Sequence, residues 1–321
     1  MPNSQPPIPL PAFEVRISAP DLYDWRAGNT GVQGVTTRDS GQPGPHVALV
    51  AITHGNEIAG AIALDRLLRD GLTPTTGRLS FVFSNLSAYD RFDPAHPTAS
   101  RFVDEDLNRV WDEPVLDGPR HSIELNRARE LRPFIDTVDM LLDIHSMLWD
   151  ADPLMLCGSS DRGRGLARRI GAPPLIVADA GHANGKRIID YSRFVGPETT
   201  SAANLVEAGQ HWQPSTVATA MTCIAGLLRG VGVVGPGADL PDVAPIGQRL
   251  AEVTRTITAA SNQFAFVQPW RGGQVVADRN TLLALEGETE FRTPHDDCLL
   301  VMPSLRPTRG HTAVRLARFI G

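Results

Sequence analysis

No part of this 321-residue chain offers an unbroken apolar run near the roughly 20 residues a membrane-spanning helix needs, which argues against such a span. The opening MPNSQPP lacks the basic start and apolar stretch of a secretory signal, so a cytoplasmic location is expected. Cysteine is scarce: Cys157, Cys223 and Cys298 are scattered and odd in number, excluding a disulfide framework and a thiolate zinc motif. Positive charge is not in excess. With 30 Lys+Arg against 36 Asp+Glu, the net charge of -6 speaks against a nucleic-acid footprint or a polybasic membrane patch. An anionic substrate must therefore be drawn by local arginines. Internal repeats and long low-complexity tracts are also lacking.

What is present is ordinary for a globular protein, 42% hydrophobic and 21% charged. The length suits one large domain plus an appendage. From about residue 46 to about residue 230, strand and helix signals alternate. Strands are expected at His46–Thr53, Leu79–Asn85, Met140–His145, Leu154–Cys157, Leu175–Ala178 and Asn204–Glu207. An apolar stripe of Ile58, Ile62, Leu64, Leu67 and Leu68 predicts a helix stopped at Gly71. Ser122, Glu124, Leu125, Ala128 and Leu131 predict another, ended or kinked near Pro133, and Ala218–Leu228 a third. Such alternation implies an α/β layered fold with a mostly parallel sheet. The glycine-rich stretch from Gly230 to Gly237 reads as a linker. The expected division is therefore an arm or edge elements over 1–45, a catalytic domain over 46–235, and a smaller β-rich C-terminal domain over 236–321. Short β runs are expected there at Phe264–Gln268, Gly273–Ala277 and Cys298–Met302.

Two strand ends carry the chemistry. His54-Gly55-Asn56-Glu57 follows one apolar run, and Asp143-Ile144-His145-Ser146 closes another. Two imidazoles and a carboxylate hold a catalytic zinc while leaving a position for water. His54 and Glu57 are three apart, so a helix starting there would set both on one face. Active sites of open parallel sheets lie at strand carboxyl ends, where all three would meet. The plainer alternative is a helix cap by Asn56 and Glu57 with a loop histidine. Glu207, ending another apolar run, is the candidate proton acceptor, or else an ordinary strand-end carboxylate. In Arg101–Arg109, Asn108 and Arg109 suit a substrate carboxylate, and Arg101 suits a developing oxyanion. A charged loop with internal ion pairs is the alternative.

Together, His54-Gly-Asn-Glu57, the Asp-Leu-Asn-Arg core ending at Arg109, Asp143-Ile-His145 and Glu207 occur in the order of the aspartoacylase/succinylglutamate desuccinylase family. The chain resembles that family, of the zinc carboxypeptidase-like clan, over roughly residues 46 to 230. The resemblance implies a mostly parallel or mixed sheet flanked by helices and a β-rich second domain. It implies His54, Glu57 and His145 as ligands of one Zn2+ per chain, Glu207 as general base and Arg101 as carbonyl polariser. Asn108 and Arg109 would hold the carboxylate of the amino-acid part; Asp143 would orient a ligand or shape the pocket, or else be a capped strand-end aspartate. The chain departs from the family at its late substrate tyrosine: Tyr23, Tyr89 and Tyr191 are the only tyrosines. Arg187, Tyr191 and Arg193 occupy the region that reads a dicarboxylate; Tyr191 and Arg193 are taken as substrate-binding, although spacing does not settle the correspondence. His211 reads as a polar strand-end residue, with pocket lining as the alternative; His295 reads as a turn in preference to a metal ligand, and His182 as loop.

The expected activity is zinc-dependent hydrolysis of the amide bond of a small, carboxylate-bearing N-acyl amino acid or related amine. A peptide-trimming carboxypeptidase and an esterase are the alternatives, with a non-catalytic metal-binding protein as a third. Neither nucleic acid nor membrane is an expected partner, and a homo-oligomer is left open.

Overall fold

The computed structural model describes residues 10–182, 184–244 and 246–320. Its strands are β1 (Val35–Asp39), β2 (His46–Ala51), β3 (Arg78–Phe83), β4 (Met140–Met147), β5 (Leu154–Leu156), β6 (Leu175–Ala178) and β7 (Ala202–Gln210), followed by β8 (Arg249–Thr258), β9 (Ala265–Phe266), β10 (Val275–Val276), β11 (Leu282–Glu286), β12 (Thr289–Arg292), β13 (Cys298–Val301) and β14 (Thr312–Ile320). The helices are α1 (Ile58–Arg69), α2 (Leu86–Tyr89), α3 (Glu113–Leu116), α4 (Ile123–Ile135), α5 (Asp161–Ile170), α6 (Ser192–Val195) and α7 (Pro214–Gly230).

The chain divides into two compact units. One comprises Val15–Ser146 and Pro153–Gln248; the other groups the described residues up to Glu14 with Met147–Asp152 and those from Arg249 on. The last division between these compact units falls after Gln248. Residues beyond Gly235 stay with the larger unit because polar side chains bind them there. Arg229 donates to the carbonyls of Ala238, Leu240 and Pro241, and Gln248 to those of Ala167 and Pro173.

In the larger unit the strands run in the order β1-β3-β2-β4-β7-β5-β6. β2 is parallel to β3 and β4, every residue of β2 is buried, and its run of Val, Ala and Leu is what a doubly covered strand requires. β1 pairs antiparallel with β3, so part of the expected arm is an edge strand. β7 begins level with β4, the Ala202 N–H donating to the Asp139 carbonyl, and pairs antiparallel with β5, so the sheet is mixed. Helix α4 ends at Ile135, close to Pro133 as expected. The Asp136 N–H still bonds the Arg132 carbonyl, which closes the last turn beyond the ring.

The smaller unit is antiparallel: β8-β14-β13-β10 in one run and β12-β11-β9 in another. Phe264, Trp270, Leu283, Leu300, Val314 and Leu316 form its core, and the Trp270 indole N–H is satisfied by the Leu283 carbonyl at 3.0 Å. Sequence patterning located β9, β10 and β13 and missed the long pair β8 and β14. Much of β8 is exposed and carries Arg, Glu and Thr, so it has no continuous apolar signature. Among the described residues no helix is long and apolar enough to cross a membrane.

Candidate metal centre

Beyond β2 the backbone is bent sharply. Ile52 takes φ +53°, a conformation that costs a β-branched residue of the order of 1–3 kcal/mol and that clusters at functional sites. The Glu57 N–H then bonds the His54 carbonyl at 3.1 Å, closing a tight turn. Gly55 is required inside it, since a Cβ there would stand 2.3 Å from the Ala88 carbonyl carbon. Helix α1 starts only at Ile58, so His54 and Glu57 converge through this turn and not, as the sequence suggested, along a helical face. Glu57 is the N-cap by position but makes no side-chain cap bond, which disposes of the capping alternative for it.

Its carboxylate instead faces two imidazoles. His54 Nδ1 lies 2.7 Å from Glu57 Oε1 and His145 Nδ1 lies 3.0 Å from Oε2. The three residues are buried, and one ligating atom from each falls within 4.8 Å of the others, the convergence a single divalent ion needs. The outward nitrogens meet carboxylates: His54 Nε2 is 2.9 Å from Asp106 Oδ1, and His145 Nε2 is 2.7 Å from Asp143 Oδ2. At His145, an Nε2–H donated to Asp143 leaves Nδ1 as the free electron pair, the arrangement typical of metal-binding histidines, while His54 Nε2 is shared between Asp106 and Arg101 Nη2 at 2.9 Å. Donor set and outer partners therefore fit a zinc-type ion.

Burial opposes charge on Glu57, yet His54 and His145 hold its carboxyl well below the usual range. Burial likewise works against a charged His145, but Asp143 and Glu57 raise it well above an ordinary histidine. Asp106 is penalised by burial and held well below the usual carboxylate range by His54 and Arg101. Asp143 also accepts from Thr53 Oγ1 at 2.9 Å and from Asn108 Nδ2 at 3.3 Å. We expect Asp106→Asn and Asp143→Asn each to weaken zinc binding by about 10–100-fold. Competition titration with a chromophoric chelator checks this, and an unaltered Kd would deny the two carboxylates an orienting role.

Arg101 reaches the same centre. Its guanidinium donates to Glu57 Oε1 at 3.2 Å and Asp106 Oδ2 at 3.2 Å, while the side chain keeps 38% exposure toward solvent. Burial works against its charge, but Asp106, Glu57 and, more weakly, Glu207 hold it firmly protonated, which sets Glu207 in electrostatic reach of this arginine. Glu207 itself is 7% exposed on β7, the strand beside β4. The Arg101–Asp106 loop is held by buried Glu124, which accepts from the N–H groups of Val103, Asp104 and Glu105 at 2.7–3.2 Å. Sequence reading saw Glu124 only as a helix residue; its single signal was a carboxylate on the helix's apolar side.

The other expected substrate residues are placed differently. Asn108 is buried, its Nδ2 on Asp143 and its Oδ1 accepting from the Ile188 N–H at 2.8 Å, so it ties loops together more than it faces a ligand. Arg109 is partly exposed, 3.8 Å from Asp106. Tyr191 and Arg193 are not brought to the centre. The Tyr191 hydroxyl donates to Asp136, and Arg193 bonds the Val138 carbonyl and Asp139 at the opposite end of β4 from His145. The short helix α6 turns them that way. Arg187, 1% exposed, is gripped by Asp179 at 2.7 and 3.0 Å and by Asp190 at 2.7 Å. His211 does face the centre: its Nδ1 is 2.6 Å from Ser146 Oγ, and burial pushes it down to about 4. His295 lies in the smaller unit, bonded to Thr254 and the Asp296 carbonyl.

Comparison with known proteins gives a consistent picture. Residues 43–162 match the family model of the succinylglutamate desuccinylase/aspartoacylase catalytic domain, which bears out the resemblance carried by the motifs. Among solved structures, the chain is similar to succinylglutamate desuccinylase from Vibrio cholerae at 17% identity, over 89% of this chain and 85% of that one, with a TM-score of 0.66. It is similar to a succinylglutamate desuccinylase/aspartoacylase from Rhodobacter sphaeroides at 19% identity, over 89% of each chain, with a TM-score of 0.65. A product-bound ectoine utilization protein, EutE (DoeB), from Ruegeria pomeroyi aligns at 17% identity over 88% of this chain and 87% of that one, with a TM-score of 0.60. These likenesses establish the fold. No curated protein matches the chain.

Proposed function

We propose that this protein is a zinc-dependent deacylase that hydrolyses the amide bond of a small N-acyl amino acid or related N-acyl amine. The observation that carries this reading is the buried convergence of His54, Glu57 and His145, each histidine backed by its own carboxylate. His54, Glu57 and His145 would hold the ion, which would supply Lewis acidity, bringing the pKa of water from about 15.7 toward about 7. Glu207 takes the proton from the water adding to the acyl carbon and returns it to the departing amine. Arg101, partly exposed at the rim of the ligand cluster, donates to the developing oxyanion. Arg109 receives the carboxylate of the amino-acid part. The free, buried thiols of Cys157, Cys223 and Cys298 suit a reducing cytoplasm.

The arginines also bear on the acyl group. Arg187 is neutralised by Asp179 and Asp190, and Arg193 sits at the far end of β4. Neither offers its charge to a distal carboxylate, so an uncharged acyl group is favoured over a succinyl one. A panel of N-acetyl and N-succinyl amino acids, blocked peptides and small esters, with parallel metal analysis, tests both points. We expect zinc in the protein and a kcat/KM at least about tenfold higher for acetyl substrates, the discrimination a buried unpaired carboxylate imposes. Preferred cleavage of succinyl substrates overturns the acyl assignment, and preferred peptide trimming overturns the deacylase reading.

A further inference from the structure

The ligand cluster joins two elements that the sheet itself does not hold at that point. The β2–β4 register runs from Val47 opposite Met140 to Val50 opposite Asp143, whereas His54, Glu57 and His145 all lie beyond it. Contacts outside this strand pairing hold the two halves at ligating distance, Thr53 Oγ1 on Asp143 Oδ1 at 2.9 Å being one of them. After β7 the chain turns abruptly through His211 and Trp212 before α7. Gly209 takes φ +135°, with Thr216 so close that a Cβ would stand 2.9 Å from its hydroxyl. Trp212 takes φ +63°, a left-handed conformation that bulky side chains avoid. Such strain persists only where surrounding contacts over-determine it.

Those contacts are specific. The Trp212 indole N–H donates to the carbonyl of Asn56, the neighbour of Glu57, at 2.9 Å. The Trp212 carbonyl accepts from the Arg16 N–H at 3.0 Å. His211, 3% exposed, places Nδ1 2.6 Å from the hydroxyl of Ser146, the neighbour of His145. The Ser146 N–H in turn donates to Glu57 Oε2 at 3.0 Å. Two adjacent side chains thus grip both halves of the cluster, Trp212 through the Asn56 carbonyl and His211 through the Ser146 hydroxyl.

We propose that the His211–Trp212 turn is a positioning clasp that holds the His54–Glu57 turn and the His145 strand end at the spacing a metal ion requires. The inference rests on the metal reading above. Neither residue ligates the ion; they act through Asn56 and Ser146. The clasp also links the strand carrying Glu207 to the ligands, so that the base and the metal share one frame.

The test uses the intact protein, Zn2+ in competition with a chromophoric chelator, and Co2+ as a spectroscopic probe. Trp212→Phe removes the indole donor and keeps the aromatic bulk; Ser146→Ala removes the partner of His211 and keeps the backbone N–H. Each is expected to weaken Zn2+ binding on the order of tenfold and to alter the visible Co2+ bands, with the metal-free thermal midpoint nearly unchanged. His211→Asn, which retains a polar atom near the Nδ1 position, is expected to bind Zn2+ more tightly than His211→Phe. Unchanged Kd and Co2+ spectra in both Trp212→Phe and Ser146→Ala overturn the clasp alone. Weakened binding matched by an equal loss of metal-free stability also overturns it, since the turn would then be general packing. A wild-type protein that binds neither ion removes the metal reading, and the clasp with it.

Discussion

His145→Ala is expected to lose bound zinc and hydrolytic activity together. The imidazole stands between two buried carboxylates, 3.0 Å from Glu57 Oε2 and 2.7 Å from Asp143 Oδ2. Its removal takes away one ligand of three and leaves those carboxylates facing each other across a cavity. The variant should also melt below the wild type, since the bound ion no longer stabilises the fold and two buried carboxylates lose their partner. Chelation of the wild-type protein separates the two effects, because it removes the ion and keeps every side chain. Activity should vanish with chelator and return with added Zn2+. Metal analysis, circular dichroism and a hydrolysis assay on the same preparations provide the measurement. Hydrolysis that persists after complete metal removal would defeat the proposed mechanism.

Glu207→Gln is expected to lower kcat by about 10²–10⁴ while zinc content stays at the wild-type level. Glu207 is not among the residues whose ligating atoms converge, so loss of its charge should leave the ion in place. The amide fills nearly the same volume but accepts no proton from the attacking water. Because proton transfer occurs in the transition state, the loss should appear in kcat with KM little changed. Wild-type turnover in this variant would withdraw the general-base role. A parallel loss of zinc would show that Glu207 acts on the ligands instead.

These predictions depend on features of very different legibility. β2 and β4 were readable because strands covered on both faces must be continuously apolar, and the ligands were readable because His and Glu ended those runs. β8 and β14 were not, since an antiparallel pair partly open to solvent mixes charged and apolar residues. The spacing of His54 and Glu57 suggested a helix, yet a strained turn delivers the same convergence. Three residues between ligands specify closeness without specifying the backbone that achieves it. Asp106 and Glu124 were present in plain view, but a carboxylate in a charged loop or helix carries no local mark of the long-range donor it will meet.

Sequence alone determined the kind of chemistry: which side chains can ligate a divalent ion, that they lie at or just beyond the carboxyl ends of buried strands, and that a carboxylate lies near the end of a third such strand. Those are properties of residue type and short-range pattern, and they survive any detail of packing. Tertiary structure decided which charges remain available. Arg187, Tyr191 and Arg193 look interchangeable along the chain, but Arg187 is enclosed by Asp179 and Asp190, and the other two are turned to the far end of β4. The same holds for His211 and Trp212, whose partners Ser146 and Asn56 are distant in sequence. Electrostatic neutralisation and hydrogen bonding act through space over a few ångströms, so they depend on neighbours that only the folded chain assembles.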